Sequence, residues 1–341
     1  MKRITICIIL SILTSGLKAQ INSQLLYNTW VKVKVTYNDD KPLVYSNIFK
    51  YSYAKYIFKS DGKAGINTGY LSNAANNTFL INDSAIVISS PGGFEMNRLK
   101  ILKLTTDELV LEQRGKAGFD QPDALKIYLV SQGAFQRSHK FQSWEFSTIA
   151  NGDTVYNESP VVYAEFTAAN NFQDYVRSQI QASINQEQGH FMATFIVNKT
   201  GKIDSLKIVN GISADHDKLF LKIFAKNQAF WKPALLGGKP VNVKVTVKID
   251  HWGSDMVIPS MRFTEEANSA LEAGKFDIAL HYYEQSLSYV PTDVTNSYKS
   301  ALCKLALGRT DGVCEALVQI NQSGVMIVDE LIGLVCKVNK N

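Results

Sequence analysis

Short runs in which apolar and polar residues alternate dominate the first third of this chain. Val31, Val33 and Val35 alternate with Lys32, Lys34 and Thr36, which assigns the two kinds of side chain to opposite faces of a strand. Tyr53 to Phe58 runs into Ser60-Asp61-Gly62-Lys63, a tight-turn sequence, and further short apolar runs follow at 78–81, 85–89, 99–104, 108–113 and 125–130. Asn82-Asp83, Pro91-Gly92-Gly93 and Thr106-Asp107 separate them. Regularly spaced strands of this kind predict an all-β meander over 25–130, closing into a barrel or a strongly curved sheet. Trp30 reads as a plug at its base. Residues 131–154 read as a linker.

From 155 to 252 the period changes. Phe172, Tyr175, Val176, Gln179, Ile180 and Ile184 fit one face of a helix. His190 to Asn198 alternates as a strand, Asn198-Lys199-Thr200-Gly201 makes a turn, and 202–209 returns as a second strand. Asp215 to Gln228 is a second helix, with Leu219, Phe220, Ile223 and Phe224 inward. Val241, Val243, Val245, Val247 and Ile249 then alternate without a break with Asn242, Lys244, Thr246 and Lys248. Helix, strand, strand, helix, strand is an α+β order. Gly201 and Gly238 suit turns that need positive φ, Trp231 suits a core anchor, and Pro233 suits an element boundary.

From 260 to 338 the periodicity is helical throughout. Small residues at Ala267 and Ala279 allow two helices to approach, and Tyr283 fills the space beyond them. Cys314 opens one helix and Cys336 ends the apolar run that a turn at Gln322-Ser323-Gly324 folds back beside it. That arrangement pairs Cys314 with Cys336 and leaves Cys303 as a buried thiol; three reduced thiols are the alternative.

Three resemblances follow from these residues. Asn28-Thr29-Trp30, the turn at 58–63 and the stretch 104–111 resemble the lipocalin-like domains of exported Bacteroidetes proteins, although Asn28 stands where a glycine is usual. Gly189 to Ile203, Asp204 to Ile212, and Phe230-Trp231-Lys232-Pro233 followed by Gly237-Gly238-Lys239-Pro240-Val241 resemble the carboxy-terminal domain of TonB. Phe263, Ala267, Ala270, Gly274, Phe276, Ala279, Tyr283, Ser286 and Pro291 resemble one tetratricopeptide repeat, and a partial second follows. The first resemblance implies an apolar cup for a small ligand or a filled barrel. The second implies a protein-binding module, because in TonB an extended segment of an outer-membrane transporter adds alongside the sheet. On that basis Val241, Asn242, Val243, Lys244, Val245, Thr246, Val247, Lys248 and Ile249 form an exposed edge that accepts a partner strand. Lys244 and Lys248 read equally well as gatekeepers against such pairing.

Composition adjusts this picture in two places. Lys2 and Arg3 precede an apolar run from Ile4 to Leu13, with Ser15, Gly16 and Ala19 after it, which is the order of a signal peptide over 1–19. The run is shorter than the ~20 residues of a spanning helix, so cleavage leaves no membrane span and a periplasmic chain. The leader takes Lys2, Arg3 and Lys18 with it, which lowers the net charge from +5 to +2 and removes any case for nucleic acid as partner. Chemistry is hard to find. The five histidines are scattered, no catalytic motif, metal-ligand spacing or cofactor-binding loop is present, and catalytic and metal residues are expected to be none. The expectation is a non-enzymatic, cofactor-free envelope adaptor whose partners are envelope proteins, outer-membrane transporters among them. The alternative is a small-ligand carrier or sensor acting through the barrel.

Overall fold

The computed structural model describes residues 22–148, 152–181 and 187–336. The expected leader, and Ile184 on the first helix of the mixed region, lie outside the described residues. Three regions follow one another: a closed eight-stranded antiparallel barrel, an α+β region and a run of helices.

The barrel comprises β1 (Thr29–Tyr37), β2 (Lys55–Phe58), β3 (Lys63–Asn67), β4 (Asn77–Asn82), β5 (Ala85–Ser89), β6 (Glu95–Leu104), β7 (Glu108–Gln113) and β8 (Leu125–Ser131). β8 pairs back onto β1, so no edge is left open. The lumen is filled with side chains rather than hollow: Trp30, Ile86, Leu99, Leu109, Leu111 and Ile127 are buried in one cluster. The Trp30 Nε1–H donates to the Leu26 carbonyl at 2.9 Å, which satisfies its polar atom at the barrel base. The expected alternation in β1 does not hold. The register against β8 shifts between Lys32 and Lys34, and this bulge leaves Val33 half-exposed while Lys32 is buried. Lys32 Nζ donates to the Phe49 carbonyl and to Ser52 Oγ. Burial holds its pKa down at about 7.

The segment expected as a linker is structured. It carries α1 (Gln132–Ser138) and β9 (Phe146–Thr148). β10 (Thr154–Asn157) follows, and the two short strands extend the next sheet. The α+β region continues with β11 (Glu165–Phe166), α2 (Phe172–Gln181), β12 (Gly189–Val197), β13 (Ile203–Asn210), α3 (Ala214–Lys226), β14 (Trp231–Lys232), β15 (Ala234–Leu236) and β16 (Lys239–His251). The sheet order is β13-β12-β16-β10-β9, with β15 pairing the start of β16. One face of β12 and β16 (Phe191, Phe195, Val243, Val247) packs on Phe172 and Val176 of α2 and Phe220 and Phe224 of α3. Gly237 and Gly238, at φ +57° and +77°, form the two-residue turn between β15 and β16 that only positive φ allows.

The helices are α4 (Ser254–Glu272), α5 (Phe276–Tyr289), α6 (Val294–Ala306), α7 (Val313–Gln322) and α8 (Asp329–Val335). Ala267, Ala279 and Tyr283 are fully buried where α4 and α5 pack. A buried polar knot ties the first three helices together. Ser260 and Ser286 hydroxyls meet at 2.8 Å, and Asn296 Nδ2 donates to Thr264 Oγ1 at 2.7 Å and to Ser286 Oγ at 2.9 Å. Cys314 and Cys336 form a disulfide with Cα atoms 5.3 Å apart, and Cys303 is a buried free thiol.

The helical region docks on the barrel through main chain. Tyr53 N–H donates to the Val325 carbonyl at 2.7 Å, and Ile327 N–H to the Tyr51 carbonyl at 2.8 Å. Tyr51 packs edge-on against Tyr298, whose hydroxyl donates to the Tyr45 carbonyl at 2.9 Å.

Candidate functional site: the half-open flank of the long strand

Strand β16 determines where a partner can reach the sheet. It pairs with β12 from Gly189 opposite His251 to Val197 opposite Val243. On the opposite flank β10, running parallel, covers Asn242–Lys244, while β15 pairs with Lys239–Val241 ahead of the first residue that β12 reaches. Val243 and Lys244 are therefore paired on both sides, and Val241 and Asn242 on one, which corrects the expectation of an edge over all nine residues. The short parallel partner, Thr154–Asn157, has too few residues to announce itself by pattern.

Beyond Lys244 no strand among the described residues covers the second flank. Glu158 N–H donates to the Lys244 carbonyl at 3.1 Å, and the chain then turns away at Ser159-Pro160. The next outward N–H groups are closed by side chains. The Thr246 N–H faces the Glu158 carboxyl and favours its charged form, and the Lys248 N–H donates to Gln173 Oε1 at 3.2 Å. Because the main-chain groups of one residue point the same way in a strand, Thr246 and Lys248 face this flank, whereas Val245, Val247 and Ile249 face β12. The valines and Ile249 also have their side chains buried in the core.

A cavity of about 350 Å³ adjoins this open stretch. Val245, Thr246 and Val247 form its floor, and Tyr163, Phe172 and Trp231 line it as well. Leu71 and Asn73, from the loop between β3 and β4, contribute a wall, so barrel and sheet build the cavity together. Tyr70 of that loop packs against Tyr163 with centroids 5.7 Å apart. Lys55, fully buried on β2, donates through Nζ to the Tyr70 carbonyl at 2.6 Å and Asn73 Oδ1 at 2.8 Å. Burial lowers its pKa to about 8.

Glu158 is the unusual member. It is 8% exposed, and its Oε1 meets no hydrogen-bond partner among the described residues. Burial raises its pKa from the ordinary 4.5 to about 8, against the pull of the Thr246 N–H. A lone glutamate between Asn157 and Ser159 carries no sequence signal for this role.

The motif residues converge at one corner of the domain. A Cβ on Gly201 would stand 2.9 Å from the Trp231 carbonyl oxygen and 3.4 Å from Pro233 Cδ. Trp231 is buried among Phe166, Phe172 and Phe195, with ring centroids 5.1 to 5.3 Å away. Sequence, order and packing of this corner agree with one comparison: residues 180–251 match the family described as the Gram-negative bacterial TonB protein C-terminal. This segment is similar to the TonB C-terminal domain. The family's domains belong to the envelope and hold other proteins, which supports a TonB-related envelope protein. A comparison with curated proteins gave no match for the chain.

Two further observations bear on chemistry. Among the described residues no group of three or more His, Cys, Asp or Glu side chains is placed to hold a metal ion, and no helix is long and apolar enough to cross a membrane. The histidines are less scattered than their spacing suggests. His216 and His251 are both buried, with rings 5.7 Å apart, and burial depresses the pKa of His251.

Proposed function

We propose that this chain is a non-catalytic docking protein of the periplasm, exported by its leader, that seats an extended segment of an envelope partner on the TonB-like domain. The supporting observation is the second flank of β16 from Thr246 onward, where outward main-chain groups are closed by two side chains instead of a strand. A short segment placed there continues the line of β10 and exchanges the Glu158 and Gln173 contacts for ladder hydrogen bonds. The helical region, similar to a tetratricopeptide repeat, and the filled barrel act as a rigid frame. The main-chain hydrogen bonds at Tyr51 and Tyr53 fix the one on the other.

Thr246→Pro tests this reading. It deletes one outward N–H and leaves the β12 ladder intact, so the fold tolerates it as it would on an edge. Val245→Pro is the wrong probe, because that residue bonds β12. Envelope proteins captured by the wild-type chain are expected to be lost with Thr246→Pro at unchanged circular dichroism. Equal capture by both chains refutes strand addition at this flank.

A further inference from the structure

The cavity beside Thr246 has a chemistry of its own, and we infer that it is a subsite for a lysine or arginine side chain projecting from the segment added along β16. This inference rests on the docking reading above and specifies what that segment must contain.

Charge and hydrogen bonding both point to a cation. Glu158 is more than nine-tenths buried, lines the cavity, and has Oε1 without a donor. A buried acceptor left unmatched costs about 1–3 kcal/mol, more if ionised, so an entering group that donates a hydrogen bond gains what the free protein lacks. The second carboxylate in the lining, Glu165, is already paired with Lys232 at 3.2 Å. A buried cation beside the lining is committed too: Lys55 Nζ lies 5.6 Å from the Tyr163 ring centroid and donates to the Tyr70 carbonyl and to Asn73 Oδ1. Among the described residues, Lys55 and Lys232 around the cavity are thus both engaged elsewhere.

Shape supports the same occupant. A cavity of about 350 Å³ is at the small end for a ligand site, where ~300–1,000 Å³ is usual, and suits one long side chain. Tyr163, Phe172 and Trp231 offer aromatic surface to an aliphatic stem and to the charge at its tip. An apolar side chain fills the space but leaves Glu158 unmatched, and an acidic one brings two carboxyls together. A strand whose main chain bonds Thr246 delivers alternate side chains to one face.

Entry of the cation takes Glu158 to its carboxylate, and the proton that burial retains there passes to solvent. Tyr70 of the barrel loop interacts with Glu158, and the other titratable groups around the cavity are Tyr163, Glu165 of β11, Lys232 of β14 and, beside the lining, Lys55 of β2. The one other carboxyl among them, Glu165, is paired with Lys232.

The test uses the full chain and four acetylated, amidated pentapeptides, Val-Thr-X-Thr-Val, with X as lysine, arginine, norleucine or glutamate. Calorimetry on the wild type is expected to show the lysine and arginine peptides binding about tenfold or more tighter than norleucine. In buffers of different ionisation enthalpy it is expected to show net proton release for those two alone. Glu158→Gln is expected to bring all four to the norleucine level. Equal binding of the four, abolished by Thr246→Pro, overturns the cationic subsite and leaves the docking reading intact. Failure of all four to bind overturns both. The proton count needs only the wild type, so poor folding of Glu158→Gln does not spare the inference.

Discussion

The main-chain oxygen of Trp231 lies where only a glycine can stand opposite it, at Gly201. The Gly201 φ of +80° already disfavours any other residue, and an added Cβ would meet that oxygen at 2.9 Å. Gly201→Ala is therefore expected to destabilise the TonB-like domain by roughly 2 kcal/mol, from left-handed strain plus a backbone shift. Denaturant unfolding followed by Trp fluorescence reads it. A loss below a few tenths of a kcal/mol shows that the hairpin relaxes freely.

Glu158 gives the fold a pH dependence with a definite sign. Its carboxyl titrates near 8 when folded and near 4.5 in its ordinary state, so between those values the folded chain holds the extra proton. Stability from this site is complete below about 4.5 and declines as pH rises toward 8. Glu158→Gln is expected to be more stable than wild type at pH 8 and above, by an amount on the order of a few kcal/mol at most. The advantage should vanish near pH 4. Lys32 and Lys55, lowered by burial to about 7 and about 8, act in the opposite direction, adding stability as pH rises above those values. The comparison must therefore be made variant against wild type at each pH. Parallel curves for the two chains across pH 4 to 9 contradict the assignment.

How much of this was legible follows from the length of each pattern. Val241 to Ile249 alternates over nine residues and reads clearly as a strand, and Gly237-Gly238 before it reads as its turn. What covers its flank does not, since Thr154–Asn157 is four residues long and pairs in parallel across a separation of more than eighty positions. The β1 bulge was hidden for a different reason. Val31, Val33 and Val35 obey the alternation, and only tertiary pairing with β8 shows that one residue is extra. The buried ionisable groups are the hardest to foresee. Lys55 and Glu158 look like solvated charges until the loops around Tyr70 and Tyr163 close over them.

The disulfide should be worth measuring where the helices are thinnest. Cys314 and Cys336 enclose a loop with a sequence separation of 22, for which chain-entropy estimates give about 3 kcal/mol. In a Cys303→Ala background, reductant is expected to lower the unfolding midpoint of the helical region and to speed amide exchange in α7 and α8. Mass mapping of a non-reduced digest should return a joined Cys314–Cys336 peptide. A Cys303-linked peptide would falsify this pairing.

Long-range closure has a kinetic corollary. Tyr51 and Glu330 meet through a hydrogen bond although 279 positions separate them in sequence. The excursion between β1 and β2, which holds Tyr51 and Tyr53, thus waits for the segment around Met326 before its main chain is satisfied. During synthesis the barrel emerges first, with that excursion lacking its mate, and it completes only when nearly all the chain has been made. Loop closure on this scale is slow to find and exposes unpaired backbone meanwhile. The barrel of this protein is in that sense the first part to begin folding and among the last to finish.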